Sequence, residues 1–336
     1  MKKFKVVLTS RVITKKEAED FGSELGAEFV TIPCQTEDEI INAGQDAAAL
    51  VTLMQPYTRR VIERLERCRL IYNAGTGFDM IDVAAATEHG ICVAYPGDYC
   101  MEEVAEHAIA LLLACGRKIT RLDRAVRQGK WVGFEKRELR NKILPPVFRI
   151  SGSTMGVVGF GRIGKATARL GKGFGMKVIA YDPYVSAETF GSAGVQGVSI
   201  EQLLKTSDFV VLQAASSAGT RHLIGMEQFR MMKPTAYVIN TARGSVIDQK
   251  GLFRALSEGL IAGAGLDVVE EEPDGIGADH PLLSLDNVIV TGHSAYYSEE
   301  SSAKYKRRIL EAVASIVKGG RPEWLINPEV RCRPAG

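Results

Sequence analysis

The chain has 336 residues, of which 46% are hydrophobic and 24% are charged, and its formal net charge is +2. One hydrophobic core rarely organises so long a chain, so we expect two domains of a globular protein. The small net charge without a basic stripe argues against a nucleic-acid partner, and no apolar block approaches the roughly 18 residues that predict a membrane span.

Six cysteines occur at positions 34, 68, 92, 100, 115 and 332, and no two of them have the C-x-x-C spacing. The spacing predicts neither a zinc site nor a redox pair, and we expect no metal. Free thiols are the simplest interpretation, and they are typical of a reducing compartment. The N-terminus also has too short an apolar run for a signal sequence, so we predict a cytoplasmic protein.

Short apolar runs alternate with amphipathic stretches from the first residues onward. The strands predicted in this first series are "FKVVLT" (4–9), "AEFVTI" (27–32), "AALVTLM" (48–54), "RLIYNA" (69–74) and "ICVAY" (91–95). The stretches between them are predicted to be helices. Such alternation is typical of a parallel sheet with crossover helices.

A second series follows a long helix predicted over 101–119 and an irregular polar segment at 131–153. Its predicted strands are "TMGVVGF", "MKVIAY", "DFVVLQ", "AYVIN", "IAGAGLDVV" and "NVIVTG", and the chain ends in an amphipathic helix. The pattern predicts an α/β protein with two doubly wound parallel-sheet domains. A cleft between two such domains is where a small ligand would be expected.

Gly159, Gly161 and Gly164 form a G-x-G-x-x-G motif between a predicted strand and a predicted helix. In this context the glycines allow a tight turn, a close approach of the backbone to a pyrophosphate, and close packing of helix on strand. Asp182 ends the next strand 18 residues after Gly164, near the ~20 expected for a carboxylate that binds ribose hydroxyls. A carboxylate there repels a 2′-phosphate, so the motif favours NAD over NADP; a glycine-rich turn with a capping aspartate is the alternative.

Ionisable side chains follow three strands of the second series. Arg243 follows "AYVIN", the glutamates at 270–272 follow "AGAGLDVV", and His293 follows "NVIVTG". Each alone is more often a structural or surface residue, but strands of one parallel sheet would bring all three to the edge where ligands bind. A guanidinium that grips a carboxylate, an imidazole that moves a proton and a carboxylate beside it are what hydride transfer on a hydroxy acid needs.

From about residue 45 to residue 330 the chain resembles the D-isomer-specific 2-hydroxyacid dehydrogenase family. The resemblance is carried by "NAGTGFDMIDVAAATEHGI", "VAEHAIALLLA", "GVVGFGRIGKA", "VINTARGSVID", "AGLDVVEEEP" and "TGHSAYYSEES". Within the family the chain is most similar to the branch of C-terminal-binding protein and phosphoglycerate dehydrogenase-like enzymes. The resemblance implies an NAD-dependent enzyme that interconverts a small D-2-hydroxy acid and its 2-keto acid.

The resemblance also implies roles for matching residues. Arg243 would bind the substrate carboxylate and carbonyl, His293 would be the acid/base, and Glu272 would be its partner. Asp267 would contact the nicotinamide amide. The implied cofactor-binding residues are Gly159, Gly161, Arg162, Ile163, Gly164, Asp182, Pro183, Ala214, Ala215, Thr220, Thr241, Ala242, Arg243, Asp267, His293 and Ala295. The implied substrate-binding residues are Gly75, Thr76 and Gly77, through their N–H groups, with Met54, Gln55, Tyr57, Arg243 and Tyr296.

The domain arrangement implied by the resemblance is discontinuous. Residues 1–100 with 297–336 would form a flavodoxin-like substrate-binding domain, and residues 101–296 would form a Rossmann NAD-binding domain. Family members usually dimerise through the cofactor domain. We therefore expect a homodimer with "FEKRELRNKILPPVFRI" (134–150) near the contact.

Three positions depart from the family's pattern. Gly292 stands where a proline usually precedes the histidine, which would leave the imidazole more freedom. "QAA" (213–215) stands where the family has His or Asn, then a residue and a proline, and Asp79-Met80 stands where it has Asp-Asn. These departures leave the activity and the NAD affinity open.

Two other functions fit the same fold. Formate dehydrogenases resemble the chain but carry an amide at the position of Glu272, so the carboxylate argues against them. The corepressor branch uses the fold as an NAD(H)-sensing dimer that binds peptide motifs, and the intact Arg243, Glu272 and His293 do not exclude it. The sequence does not identify the hydroxy acid, although Arg59 or Arg60 could meet a second anionic group.

Overall fold

The computed structural model describes residues 4–333 except residues 132, 134 and 135. The chain forms two compact units. Unit 1 combines residues 1–99 with residues 298–336, and unit 2 is the continuous segment Cys100–Tyr297.

Unit 1 contains a five-stranded parallel sheet. Its strands are β1 (Phe4–Leu8), β2 (Ala27–Thr31), β3 (Ala49–Thr52), β4 (Leu70–Asn73) and β5 (Cys92–Ala94). Its helices are α1 (Lys15–Leu25), α2 (Glu37–Gly44), α3 (Arg59–Arg64), α4 (Val83–Glu88) and, near the end of the chain, α13 (Glu299–Val317). The strand order is β2-β1-β3-β4-β5, which is that of flavodoxin-like doubly wound sheets.

Local sequence explains the helix starts and the buried strands of unit 1. Thr14 and Thr36 open α1 and α2 with capping boxes, in which Glu17 and Glu39 bind back to the cap backbone. Strands β3 and β4 are buried at every position. One face of the sheet packs against α1 and α13, and the other packs against α2, α3 and α4. A parallel sheet covered on both faces requires such continuous apolar runs.

Unit 2 contains a seven-stranded parallel sheet in the order β12-β11-β10-β9-β6-β7-β8. Its strands are β6 (Thr154–Val158), β7 (Lys177–Tyr181), β8 (Gln196–Gly197), β9 (Phe209–Leu212), β10 (Tyr237–Asn240), β11 (Gly263–Leu266) and β12 (Val288–Val290). Its helices are α5 (Met101–Arg117), α6 (Ile119–Arg127), α7 (Arg137–Ile143), α8 (Arg162–Gly173), α9 (Ala187–Ser192), α10 (Ile200–Thr206), α11 (Met226–Met231) and α12 (Gln249–Ser257). The strand order reverses between β6 and β9, and dinucleotides bind at such a switch point of a Rossmann sheet.

Two apolar clusters fix the helices of unit 2 on the faces of its sheet. On one face, α5 and α8 pack on the sheet through residues such as Leu112 and Ala168. On the other face, α10, α11 and α12 contribute Leu203, Phe229 and Leu252. Full burial of a large apolar side chain stabilises a fold by about 1.5–3 kcal/mol. The packed sheet therefore fixes the positions from which the loops after its strands begin.

The two parallel sheets confirm the predicted fold class, but three local predictions are wrong. The helix predicted over 101–119 ends at Arg117, because Lys118 has a left-handed backbone with φ of 59° that separates α5 from α6. The segment predicted to be irregular contains α7, because the residues from Arg137 to Arg140 are strong helix formers. Strand β8 is missed because two residues leave no periodic pattern.

Two further predictions concern surfaces of the chain. Among the described helices, none combines the length and the apolar character needed to cross a membrane. The segment 134–150, which we expect near a dimer contact, includes Phe134 and Glu135, and these two lie outside the described residues. The dimer therefore stays a prediction.

The prediction of six free thiols is wrong. Cys92 in β5 and Cys332 form a disulfide across a sequence separation of 240 residues. The C-terminal segment runs beside β5, where the N–H of Ile326 donates to the carbonyl of Val93. Spacing along the chain cannot reveal a pairing that tertiary structure creates. The cytoplasmic location loses the support of free thiols and stays a prediction.

The disulfide predicts the number of reactive thiols. The other four cysteines are buried thiols, so a thiol reagent added to the denatured, unreduced protein should label four groups, and six after reduction. Cys332→Ser should give five, and should lower the free energy of unfolding by about 2–4 kcal/mol because the unfolded chain loses its cross-link. Cys34→Ser is the control, with three labelled groups and an intact disulfide. Six thiols before reduction would contradict the pairing.

Candidate active site

The turn between β6 and α8 is shaped so that two of its glycines cannot carry a side chain. Gly159 has φ of 91°, and a Cβ there would lie 2.6 Å from the backbone nitrogen of Ala214. A Cβ on Gly164 would overlap the carbonyl of Gly159. Gly161, in contrast, faces open space, with no atom within 4 Å of an added Cβ. The turn is therefore tight, and its backbone is open to a ligand at Gly161.

Helix α8 begins at this open space. Its cap residue Gly161 supplies no side-chain acceptor to the N–H groups of the first turn, and such a helix end is a site for anions. Asp182, after β7, accepts hydrogen bonds from the N–H of Phe160 at 2.8 Å and of Tyr184 at 3.0 Å. Its carboxylate is thereby fixed beside the glycine turn. These groups fit the diphosphate and the ribose of a dinucleotide.

Gln213, one of the departures from the family's pattern, links three segments around the cofactor turn. Its Nε2 donates to Thr167 Oγ1 at 3.2 Å and to Thr241 Oγ1 at 3.0 Å. The end of β9 is thus tied to α8 and to the segment after β10. The backbone of Gln213 and Ala214 also packs against Gly159. A hydrogen-bonded amide therefore supports the turn from the position where the family has His or Asn.

The remaining predicted cofactor residues lie after the strands of the same sheet. Thr220 closes the loop after β9 by donating from Oγ1 to the carbonyl of Ala215 at 2.6 Å. Ala295 is buried and donates its N–H to Asp267. Two more residues lie just after strands of this sheet: Pro183 follows Asp182 after β7, and Ala242 follows Thr241 after β10.

Strands β10, β11 and β12 are neighbours in the sheet, so Arg243, Glu272 and His293 lie in loops that follow adjacent strands. Gly244 brings two of these loops into direct backbone contact. A Cβ on Gly244 would overlap the carbonyl of Val269. The absence of a side chain at this position therefore sets how closely the arginine loop approaches the glutamate loop.

His293 and Glu272 form a contact between these loops. The Nδ1 atom of His293 lies 3.1 Å from Oε1 of Glu272. The imidazole is 41% exposed while the carboxylate is 15% exposed, so the histidine can reach a ligand while its partner stays sheltered. His293 has a left-handed backbone with φ of 50°, a conformation that strains most residues and is found at functional sites.

Asp267 holds the segment that carries His293. Its buried carboxylate accepts hydrogen bonds from the N–H of Ser294 at 2.9 Å, the N–H of Ala295 at 3.0 Å and Thr291 Oγ1 at 2.5 Å. Its carbonyl accepts the N–H of His293 at 2.8 Å. His107 on α5 supports the same group, since its Nε2 lies 2.9 Å from Thr291 Oγ1. The resemblance implies a nicotinamide contact for Asp267; the described hydrogen bonds are to the histidine segment.

The other two glutamates of the loop are engaged elsewhere. Glu270 accepts a hydrogen bond of 2.5 Å from His222, and Glu271 accepts bonds of 2.6 and 2.7 Å from Nε2 of Gln249. Gln249 also binds the backbone of Glu270, through its own Oε1, at 3.1 Å. These contacts anchor the first two glutamates at the start of α12. Glu272 is left as the carboxylate that pairs with His293.

Arg243 is held by its neighbours on β10. Asn240 is buried, and its side chain accepts the N–H of Ala242 at 3.0 Å and donates to the carbonyl of Arg243 at 2.9 Å. The guanidinium Nη1 of Arg243 donates to the carbonyl of Ala242 at 2.7 Å. The backbone around the arginine is fixed, and a planar guanidinium can bind a carboxylate through two parallel bonds.

In unit 1, the loop after β4 presents backbone N–H groups. The Nδ2 atom of Asn73 donates to the carbonyl of Gly75 at 2.6 Å and to that of Gly77 at 2.9 Å. Within the described part of the chain, no hydrogen-bond acceptor is found for the N–H groups of residues 75–77. Successive N–H groups of this kind form a concave site for an anion such as a carboxylate.

The predicted substrate contacts after β3 need one correction. Tyr57 is fully buried, its hydroxyl lies 3.1 Å from Thr9 Oγ1, and burial raises the pKa of that hydroxyl, so it belongs to the core of unit 1 and not to a ligand surface. Gln55 binds within its own loop, since its Oε1 accepts bonds from Thr52 Oγ1 and the N–H of Leu53, both at 2.8 Å. Met54 is exposed, and in unit 2 Tyr296 is exposed beside the His293 ring.

Several residues of the site lie outside what the sequence pattern predicts. Gln249, His222 and His107 act through partners 21 to 184 positions away along the chain. The role of Asn73 could have been predicted from the sequence, because this polar residue ends a buried strand directly before the glycine-containing loop. A buried amide needs hydrogen-bond partners, and the backbone of the loop that follows can supply them.

Comparisons with known proteins extend over most of the chain. The family model described as D-isomer specific 2-hydroxyacid dehydrogenase, NAD binding domain, matches residues 109–295. The glyoxylate reductase of Korarchaeum cryptofilum (strain OPF8) is 41% identical over 299 residues, which cover 88% of each protein. The D-3-phosphoglycerate dehydrogenase of Methanocaldococcus jannaschii is 39% identical over 294 residues, which cover 87% of this chain and 54% of that protein.

Among solved structures, D-lactate dehydrogenase from Aquifex aeolicus, complexed with NAD and lactic acid, is similar with a TM-score of 0.82 and 29% identity. The match covers 94% of this chain and 96% of that chain. The site geometry, the family model and these similarities agree: the chain belongs to the D-isomer specific 2-hydroxyacid dehydrogenase family and is an NAD-dependent dehydrogenase.

Proposed function

We propose that this dehydrogenase interconverts a small D-2-hydroxy acid and its 2-keto acid, with His293 as the acid/base, Glu272 as its partner and Arg243 as the group that binds the substrate carboxylate and carbonyl. The observation that carries the proposal is the contact of 3.1 Å between His293 and Glu272 in loops after adjacent strands. The named relatives support the substrate class, because they are named for glyoxylate, D-3-phosphoglycerate and D-lactate.

When bound, NAD supplies the atom that accepts or returns the hydride. The protein must then move the proton. With Nδ1 of His293 directed to Glu272, its Nε2 is the atom that takes the hydroxyl proton during oxidation and returns it during reduction. The Glu272 carboxylate fixes this tautomer and stabilises the positive charge that the ring acquires.

Substrate binding is assigned to two further groups. Arg243 grips the carboxylate and the carbonyl oxygen, so that charge on the oxygen is stabilised as the bond order changes. The N–H groups of Gly75, Thr76 and Gly77 are proposed to bind the substrate carboxylate. We also propose that residues 1–100 with 297–336 form the substrate-binding domain, and that the enzyme is a homodimer through its NAD-binding domain.

A panel of 2-keto acids with NADH tests the proposal. We expect turnover of at least one acid, and His293→Gln should lower kcat by about 10²–10⁴-fold because no group then moves the proton. His89→Gln is the matched control, since His89 ends α4 in unit 1, where its Nδ1 atom lies 2.9 Å from the carbonyl of Ala85. Tight NADH binding without turnover of any acid would contradict the proposal and favour the NAD-sensing alternative.

The two directions of the reaction should depend on pH in opposite ways. Reduction needs a protonated imidazole and oxidation needs a neutral one. Single-turnover rates of reduction should therefore fall as the pH rises, while rates of oxidation should increase. Measurement of the chemical step in both directions checks this. Parallel trends would mean that another group moves the proton.

Replacing Asp267 should reduce catalysis through the position of His293. Asp267→Asn turns one acceptor into a donor that faces the N–H of Ser294 or Ala295, so the segment should loosen and kcat should fall by about 10-fold or more. Asp286→Asn is the matched control, because Asp286 is an exposed aspartate of unit 2 paired with Arg124. A wild-type kcat in Asp267→Asn, at unchanged stability, would contradict the role.

A further inference from the structure

We infer that the substrate is a 2-keto acid with a bulky apolar side chain and without a second anionic group. The inference rests on the proposed function and adds the class of side chain. It is carried by exposed apolar residues next to the carboxylate-binding loop of unit 1, by exposed tyrosines next to His293 in unit 2, and by the ion pairs of the arginines in α3.

Four large apolar side chains of unit 1 are exposed in the loops after β3 and β4. Leu53, Met54, Phe78 and Met80 are each 38% to 43% exposed. The two loops are joined by hydrogen bonds from the N–H of Tyr57 to the carbonyl of Met80 and from the N–H of Asp82 to the carbonyl of Tyr57. The two loops therefore lie side by side at the carboxyl edge of the sheet, and their four exposed apolar residues are called the apolar surface.

This surface adjoins the N–H groups that would hold the carboxylate. Leu53 Cδ1 would lie 3.3 Å from a Cβ on Gly75, so the leucine side chain is in contact with the start of that loop. Phe78 follows Gly77 directly. A keto acid whose carboxylate binds residues 75–77 would place its side chain within reach of these apolar groups.

Met54 adds a backbone observation to this surface. Its backbone has a left-handed φ of 66°. Residues other than glycine rarely adopt this conformation, because it is strained. Its side chain is 40% exposed. Backbone strain of this kind is found at ligand-binding sites, so it supports a role for Met54 in substrate binding.

The arginines of α3 already have carboxylate partners within unit 1. Arg59 Nη1 lies 2.7 Å from Oε2 of Glu88, and Arg60 Nη1 lies 2.8 Å from Oε2 of Glu37. These pairs direct both guanidinium groups to the acidic residues of α2 and α4. Arg11, after β1, is exposed and has no ion-pair partner among the described residues, so it is included in the test.

The residues after His293 in unit 2 are also aromatic. The ring of Tyr296 meets the ring of His293 edge to face, with centroids 6.4 Å apart, and Tyr297 packs against Tyr296. Both tyrosines are exposed, at 43% and 58%. A substrate at the imidazole would thus contact aromatic rings. Such contacts favour a substrate with an aliphatic or aromatic side chain over one with a phosphate group or, like glyoxylate, with no side chain.

The test compares kcat/KM for five acids with NADH: glyoxylate, pyruvate, 3-phosphohydroxypyruvate, 4-methyl-2-oxopentanoate and phenylpyruvate. Because each methylene in an apolar pocket is worth about 10-fold or more, we expect one of the last two to exceed glyoxylate and the phosphate by at least that factor. A higher value for glyoxylate or for the phosphate would overturn the inference. No turnover of any acid would instead overturn the proposed function.

Variants connect the preference to the surface. Phe78→Ala should lower the ratio of kcat/KM for the best apolar acid to that for glyoxylate by about 10-fold. Phe174→Ala is the matched control, because Phe174 is an aromatic residue 46% exposed at the end of α8 in unit 2. An unchanged ratio in Phe78→Ala would overturn the placement of the side chain.

Charge variants separate the phosphate alternative. Leu53→Arg places a cation beside Gly75 and should raise the relative kcat/KM for 3-phosphohydroxypyruvate by about 10-fold or more. Arg11→Gln should leave the ranking of the acids unchanged. If Arg11→Gln removes a preference for the phosphate, the second anionic group exists and the inference is wrong.

Discussion

The carboxylate of Asp267 is 2% exposed and accepts hydrogen bonds from Thr291, Ser294 and Ala295, the residues on either side of His293. A buried carboxylate without such partners would cost several kcal/mol, so the segment cannot leave the aspartate without a large penalty. This constraint fixes the left-handed backbone of His293 and aims Nδ1 at Glu272. The proposed proton transfer depends on it, because a ring that can turn has no defined partner or tautomer.

Much of the fold could be predicted because short stretches of the sequence are enough to indicate its strands and helices. Apolar runs separated by amphipathic stretches indicate parallel sheets, and carboxyl ends of parallel strands share one edge. That rule predicts that Arg243, the glutamates at 270–272 and His293 lie at one edge of a sheet, and the order of β10, β11 and β12 then makes their loops neighbours. The pairing of Cys92 with Cys332 could not be predicted, since it depends on where the C-terminal segment crosses β5.

The three consecutive glutamates show where local information ends. The pattern treats Glu270, Glu271 and Glu272 as equivalent, and only the resemblance selects the last. The structure separates them through hydrogen bonds: His222 and Gln249 engage the first two, while the third meets His293. The partners lie 22 to 48 positions away for the first two, beyond the reach of any periodic pattern.

The hydrogen bonds to Asp267 also determine how much backbone freedom Gly292 adds next to His293. A glycine in place of the family's proline removes a fixed φ and so adds backbone freedom next to His293. The neighbours limit that freedom from both sides, because Thr291 and Ser294 are bound to the same carboxylate and the N–H of His293 is bound to the carbonyl of Asp267. An added Cβ at Gly292 would meet no atom within 4 Å, so packing does not require glycine there. Rigidity that the family obtains from a proline ring is supplied here by hydrogen bonds to one buried carboxylate, and the imidazole keeps its direction as long as that carboxylate keeps its partners.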